Sequence, residues 1–262
     1  MSNAYTRERN PPYRPGQKEV FKLSRSKIEL FMQCRRCFWL DARVRIKRPS
    51  GPPFQINKTI DELYKKEFDG YRVQRKPHPL MTKNKIQAIP FAHADLDKWR
   101  HNFTGVSTDH KPTNFHIFGA VDDIWVNDED ELIVVDYKAT SKNAEITLDS
   151  DWQIMYKRQM EIYQWLLRQN GHQVSDTGYF VYTNARLDVD HFKDKLIFKT
   201  KVIEYTGSDQ WIEPTIQKMK KCLDSDDMPP VGTAAMGGPC EYCEYARSRT
   251  ELTLKHIKAA KK

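Results

Sequence analysis

The chain has 262 residues, of which 30% are charged and 39% hydrophobic, and its formal net charge is +8. That length suits one sizeable domain, or one domain with a small appended lobe. No apolar run approaches a membrane span and the basic, Pro-rich start lacks the apolar core of a signal peptide, which excludes a membrane partner and predicts a cytoplasmic protein.

The positive charge is concentrated at the two ends. Residues 1–50 hold thirteen Lys/Arg against four Asp/Glu, and the stretch from Ala246 onward holds six basic residues against one acid. Such clusters suit a polyanion, because phosphate contacts supply most non-specific nucleic-acid affinity. Ordinary solubilising charge is the plain alternative.

Residues 1–22, with Pro11, Pro12, Pro15 and Gly16, read as a flexible basic arm, and residues 23–262 as a single domain. Ser26-Lys27-Ile28-Glu29 has the form of a capping box opening a helix that carries Ile28, Phe31 and Cys34/Cys37. Arg43 to Pro53 reads as a loop. A second helix is expected from Asn57 to about Phe68, with Ile60, Leu63, Tyr64 and Phe68 on its apolar side. Residues 72–114 look irregular apart from a short element around Trp99. Four of the eight histidines fall there, without metal-ligand spacing.

Two apolar runs, Phe115 to Val126 and Glu131 to Tyr137, flank Asn127-Asp128-Glu129-Asp130 and predict a β-hairpin. Asp122 interrupts the first run, and Asp136 and Lys138 close the second. Residues two apart on a strand share a face, so Asp136 and Lys138 project together, and the hairpin can bring Asp122 beside them. Paired carboxylates suit Mg²⁺, with water and substrate phosphate completing its shell. A solvated strand end with an Asp–Lys ion pair is the simpler reading.

Asp149 to Gln169 is the longest helical pattern, ended by Gly171, and Gln159 and Tyr163 share one of its faces. Gly178 to Thr183 and Leu196 to Tyr205 read as further strands, and Trp211 to Leu223 as a helix. A loop over 228–239 leads to Cys240-x-x-Cys243 and a basic terminal helix.

Two Cys-x-x-Cys pairs in such a chain favour metal ligation over disulfides. Shared by one centre, Cys34, Cys37, Cys240 and Cys243 would pin the N-terminal segment to the C-terminal one. Four thiolates close a tetrahedral Zn²⁺ site or hold a 4Fe-4S cluster. Cys222 has no partner at ligand spacing and reads as a small buried hydrophobe.

The set Gly119-x-x-Asp122, Asp136-Tyr137-Lys138 and Gln159-x-x-x-Tyr163 resembles the PD-(D/E)XK nuclease superfamily over residues 100–170. It looks most like the RecB-like branch that includes the small CRISPR-associated iron–sulfur exonucleases. The resemblance implies a restriction-endonuclease-like α/β core, a mixed central sheet flanked by helices, with the two terminal segments clasped by a four-cysteine metal site. It implies that Asp122, Asp136 and the Tyr137 carbonyl bind Mg²⁺ or Mn²⁺, that Lys138 assists the attacking water, and that Gln159 and Tyr163 border the site. The family's first helix carries a Gly four residues before a metal-binding His. Here Asn57 and Asp61 stand at those places, and Asp61 can supply the oxygen ligand. The family's 4Fe-4S clasp uses one N-terminal and three C-terminal cysteines; Cys34, Cys240 and Cys243 match, and Cys37 is the available fourth.

The activity implied is a Mg²⁺- or Mn²⁺-dependent deoxyribonuclease, an exonuclease on single-stranded or end-containing DNA. The chain has no P-loop, so a helicase, repair or CRISPR protein would be a separate partner. Two readings compete: an inactive nucleic-acid-binding module that keeps the fold, and a structural zinc protein. Intact Asp122, Asp136 and Lys138 count against both.

Overall fold

The computed structural model describes residues 11–51, 54–232 and 238–260. In chain order, strand β1 (Phe21–Ser24) leads into helices α1 (Arg25–Gln33) and α2 (Arg35–Val44). Helices α3 (Gln55–Gln74) and α4 (Pro79–Lys83), strand β2 (Ala88–Pro90) and helix α5 (Leu96–Arg100) follow. Next come β3 (Val106–His110), β4 (Phe115–Gly119), β5 (Asp123–Asn127) and β6 (Leu132–Thr140). A short turn of helix at Asp151–Gln153 opens α6 (Ile154–Gln169), followed by β7 (Thr177–Ala185) and β8 (Phe198–Thr206). Helices α7 (Ile212–Asp224) and α8 (Glu241–Ala260) come last. Among the described residues no helix is long and apolar enough to cross a membrane.

The chain divides into two units: Met1–Ser50 with Asp109–His116 and Glu213–Lys262, and Gly51–Thr108 with Ile117–Ile212. The second unit is built on a five-stranded sheet in the order β2-β5-β6-β7-β8. Only the β6–β7 pair is parallel; the other neighbours are antiparallel. A parallel pair needs a crossover, and α6 supplies it. This is the mixed sheet flanked by helices that the resemblance implies.

Alternation along β6 gives the sheet two different faces. Ile133, Val135 and Tyr137 join Trp125, Val181, Phe68 of α3 and Met81 of α4 in one apolar cluster. Asp136 lies between them in sequence and meets Gln159 of α6 on the opposite face. Every residue of α6 from Gln159 to Leu167 is buried, the mark of a central helix. The helix packs closely on the sheet at Gly178, where a Cβ would stand 2.5 Å from Met160 Sδ and 2.9 Å from the Val134 carbonyl oxygen.

The first unit holds α1, α2 and α8. Phe31 and Phe38 meet edge to face across α1 and α2, at 5.2 Å between ring centres. Arg43 of α2 donates to the Leu223 and Ser225 carbonyls at the end of α7, at 2.6 and 3.1 Å. Part of the expected arm, residues 1–10, lies outside the described residues. Within 11–22, Tyr13 is buried and donates its N–H to the Ala42 carbonyl at 2.8 Å.

Several elements depart from their expected bounds. The N-terminal helix begins at Arg25 with Ser24 as its cap, and it breaks at Cys34, whose φ of −154° is extended. The run Phe115 to Val126 is not one strand: β4 ends at Gly119 and a different sheet begins at Asp123, so the hairpin proper is β5–β6. Residues 72–114 are less irregular than expected, for they contain α4, β2, α5 and β3. Helix α3 outruns its predicted end because its i, i+4 line of Ile60, Tyr64 and Phe68 continues into a charged residue, Arg72. Leu63 points outward at 56% exposure.

Arg72 reaches a fully buried carboxylate on the α3 side of the sheet. Asp123 accepts from Arg72 at 2.6 Å, from Arg100 of α5 at 2.7 Å, from the Tyr137 hydroxyl at 2.8 Å and from the Ile124 N–H at 2.8 Å. A buried charge of this kind is tolerable only when fully partnered, and losing it strands two buried guanidinium groups. Asp123→Ala is therefore expected to destabilise the sheet unit by about 3–5 kcal/mol, read as a lower urea midpoint for loss of tyrosine and tryptophan fluorescence change.

Candidate active site and cysteine centre

The register of β5 on β6 pairs Asp123 with Val135 and Ile124 with Val134. Continuing it by one residue sets Asp122 opposite Asp136, at the end of the strands. There Asp122 Oδ2 accepts the backbone N–H of Tyr137 at 2.9 Å. Asp136 is fully buried, in contact with the Lys138 ammonium, and its Oδ1 accepts from Gln159 Nε2 at 2.8 Å. Gln159 also donates to the Tyr163 hydroxyl at 3.2 Å. The face that Gln159 and Tyr163 share thus turns toward Asp136.

Lys138 is held charged at this end of the sheet. Burial works against its ammonium, but Asp136 and then Asp122 outweigh it and raise its pKa. The ammonium also lies 4.7 Å from the centre of the Tyr156 ring.

Asp61, on α3, comes into the same field. Burial, then the Asp122 charge, raises its carboxyl pKa against the pull of Lys65, which pairs with Asp61 Oδ2 at 2.7 Å. Its other oxygen, Oδ1, is buried and has no hydrogen-bond partner among the described residues. A buried carboxylate oxygen left without a donor beside another carboxylate fits a cation ligand better than a structural ion pair. Asp61, Asp122, Asp136 and the Tyr137 backbone therefore offer the hard oxygen donors that Mg²⁺ or Mn²⁺ takes. The carboxylates are not drawn as tightly together as the cysteines described next.

Sequence reasoning missed Asp123, Arg72, Arg100 and Tyr156. The doublet Asp122-Asp123 carried a usable signal, since neighbours on a strand face opposite sides and only one of the two can join Asp136. Nothing in the spacing of Arg72 and Arg100 pointed to a shared partner.

In the other unit, the ligand atoms of Cys34, Cys37, Cys240 and Cys243 all lie within 4.8 Å of one another, and all four residues are buried. Each pair opens a helix. Cys34 caps α2 with Cys37 in its first turn, and Cys240 precedes α8 with Cys243 in its first turn. Helix N-termini present unpaired N–H groups and favour thiolate. Burial acts to raise the Cys34 pKa, but the N–H groups of Cys37 and Gly232 outweigh it and hold the thiol down at about 7. Gly232 donates at 3.3 Å, and a Cβ there would stand 2.5 Å from Cys34 Cα.

Arg48 donates to Cys240 Sγ at 3.4 Å while its guanidinium stacks 4.6 Å from the Tyr242 ring centre. It supplies positive charge to a set of four sulfurs that would otherwise concentrate negative charge. Cys222 stands outside the set, half-buried, its thiol pushed up to about 11 by burial.

A family model described as the PD-(D/E)XK nuclease superfamily matches residues 54–248. Among solved structures, the one described as "Crystal structure of SSO0001" aligns over 81% of each chain at 14% identity, with a TM-score of 0.33. No curated protein matches the chain.

The donor set makes Arg48 and the cysteines separable by experiment. Cys37→Ser is expected to abolish the metal content that elemental analysis finds per purified chain. Arg48→Ala should keep the metal but release it to a chelator at least several-fold faster, within the roughly 10–100-fold range typical of outer-shell partners.

Proposed function

The chain belongs to the PD-(D/E)XK nuclease superfamily, and on that premise we propose that it hydrolyses DNA phosphodiester bonds with a divalent metal, as an exonuclease on single-stranded or end-containing DNA. The observation that carries this reading is the linked set at the end of β5 and β6: Asp122 on the Tyr137 N–H, and Asp136 between Lys138 and Gln159. The exonuclease preference rests on the resemblance of these motifs to the RecB-like branch.

In this reading Asp122, Asp136 and Asp61 hold Mg²⁺ or Mn²⁺, with the Tyr137 carbonyl as a further oxygen. When bound, such an ion acidifies a water and neutralises charge growing on the scissile phosphate. Lys138, kept protonated by its two acidic neighbours, holds the attacking water or the phosphoryl oxygens through charge already in place. Gln159 fixes the Asp136 carboxylate through Oδ1, and the Tyr163 hydroxyl fixes Gln159 in turn. The basic terminal stretches supply non-specific affinity for the phosphate backbone. Any helicase, repair or CRISPR partner would be a separate chain.

The cysteine centre has two readings. A tetrahedron about one ion with metal–sulfur bonds of about 2.3 Å has edges of about 3.8 Å. Three of the sulfur pairs here measure 3.6, 3.7 and 3.8 Å, which favours a single Zn²⁺. The resemblance favours a 4Fe-4S cluster, in which each thiolate binds a different iron. A visible spectrum separates them, because the cluster absorbs there and zinc does not.

The inactive-module reading leaves Asp136 and Lys138 as buried charges without a task. With Mn²⁺ and labelled single-stranded DNA, wild type is expected to cleave, while Asp136→Ala and Lys138→Ala lose at least about 100-fold in rate. Both variants should still bind DNA in an anisotropy titration. Equal cleavage by all three proteins would remove the catalytic assignment.

A further inference from the structure

Strand β7 continues past the end of β6 that carries the site. The parallel register sets Lys138 beside Tyr182 and Thr140 beside Asn184. The antiparallel partner β8 closes with Phe198 opposite Ala185, and the chain between them forms the hairpin tip over 186–197. At the rise of an extended chain, Arg186 stands about 13 Å along the strand beyond Tyr182, at the Lys138 end of the sheet.

The tip is a built structure. The Asn184 side chain accepts the Lys142 N–H at 2.9 Å and donates to the Lys142 carbonyl at 3.0 Å. Arg186 N–H meets the Ile197 carbonyl at 2.8 Å, and Lys195 N–H meets the Phe192 carbonyl at 2.9 Å. Arg186 forms a two-pronged ion pair with Asp188 at 2.9 and 3.0 Å.

Its surface is unusual in two ways. Leu187, Phe192, Leu196 and Ile197 are about half exposed or more, and Phe198 follows at 37%. Scattered apolar residues on a surface need no explanation, but this many on one hairpin mark a contact. Lys193, Lys195 and Lys199 are interleaved with them, against Asp190 and Asp194 as the remaining acids.

We propose that this hairpin tip is a second nucleic-acid contact, in which apolar and aromatic side chains stack on or wedge between bases of a single strand running to the Asp136–Lys138 end. Lys193, Lys195 and Lys199 meet its phosphates. Apolar side chains pair with base faces and ammonium groups with phosphates, so a strand of nucleic acid matches both halves of the surface, and aromatic platforms hold single strands without reading sequence. A neutral apolar partner would use the apolar half of the surface alone. The proposal rests on the nuclease reading for the direction of the strand, and on the tip alone for the contact.

The test uses Phe192→Ala/Leu196→Ala and, separately, Lys193→Glu/Lys195→Glu, each in the full chain and each also in an Asp136→Ala background for binding. Affinity for a fluorescein-labelled 20-nucleotide single strand is measured by anisotropy at fixed salt, and cleavage is followed on that strand and on a dinucleotide too short to reach the tip. Both tip variants are expected to weaken 20-mer binding about tenfold and to leave dinucleotide cleavage unchanged. The lysine reversal alone should also flatten the salt dependence. Unchanged 20-mer affinity in both variants overturns the proposal, as does a dimer that becomes a monomer in light scattering while DNA binding stays intact. A wild type that loses 20-mer affinity on tip mutation yet cleaves nothing keeps the contact and sinks the nuclease reading instead.

Discussion

The arrangement at the end of the sheet depends on two adjacent aspartates facing opposite ways. Asp123 turns under the sheet, where Arg72, Arg100 and the Tyr137 hydroxyl surround it. Asp122 turns outward and takes the Tyr137 backbone N–H. Tyr137 is thereby gripped at both its hydroxyl and its main chain by the first residue of the neighbouring strand and the residue just before it. With Tyr137 fixed, the residues on either side of it, Asp136 and Lys138, have no freedom to choose a face. The buried ion cluster looks like a stability device, but its effect is to set the geometry of three charged groups it does not touch.

That clamp also explains what was legible in the sequence. The apolar runs of β6 and α6 announced themselves by period, and Asp136, Lys138, Gln159 and Tyr163 lay on the faces their spacing assigns. Tetrad Asn127 to Asp130 gave the turn correctly, with Asp130 at a φ of +60° that Asp accepts more readily than a branched residue. The break at Gly119 to Asp122 was hidden, because an apolar run does not say that its two halves belong to different sheets. Arg72 was hidden for a different reason. A charged residue on the apolar line of α3 reads as the end of a helix unless its buried partner, 51 residues away in sequence, is already known.

The cysteine centre shows the reverse case, in which a long-range contact is legible because local chemistry repeats. Each Cys-x-x-Cys pair sits at a helix start, where the position before the helix and its first turn bring two sulfurs to one side, and at Cys34 backbone N–H groups point at the sulfur. Two such half-sites are each incomplete, and four thiolates are satisfied only when they meet. The separation of more than 200 residues between the pairs is therefore no obstacle to reading them as partners.

The place of Asp61 follows from charge. Burial and Asp122 both push against its ionised form, and Lys65 answers only one of its two oxygens. Ionised together, Asp61, Asp122 and Asp136 would set three negative charges against the two positive charges of Lys65 and Lys138. A histidine at position 61 would contribute a neutral donor and leave two carboxylates against the same two cations. With an ionised aspartate the balance would tip toward negative, and such a site would draw a divalent cation more strongly than a histidine version. Harder oxygen ligands also shift preference toward Mg²⁺ and Mn²⁺ and away from the metals that imidazole favours. On the proposed nuclease reading, an aspartate at position 61 in place of a histidine would change which ions the site holds, with the same Asp–Lys pair.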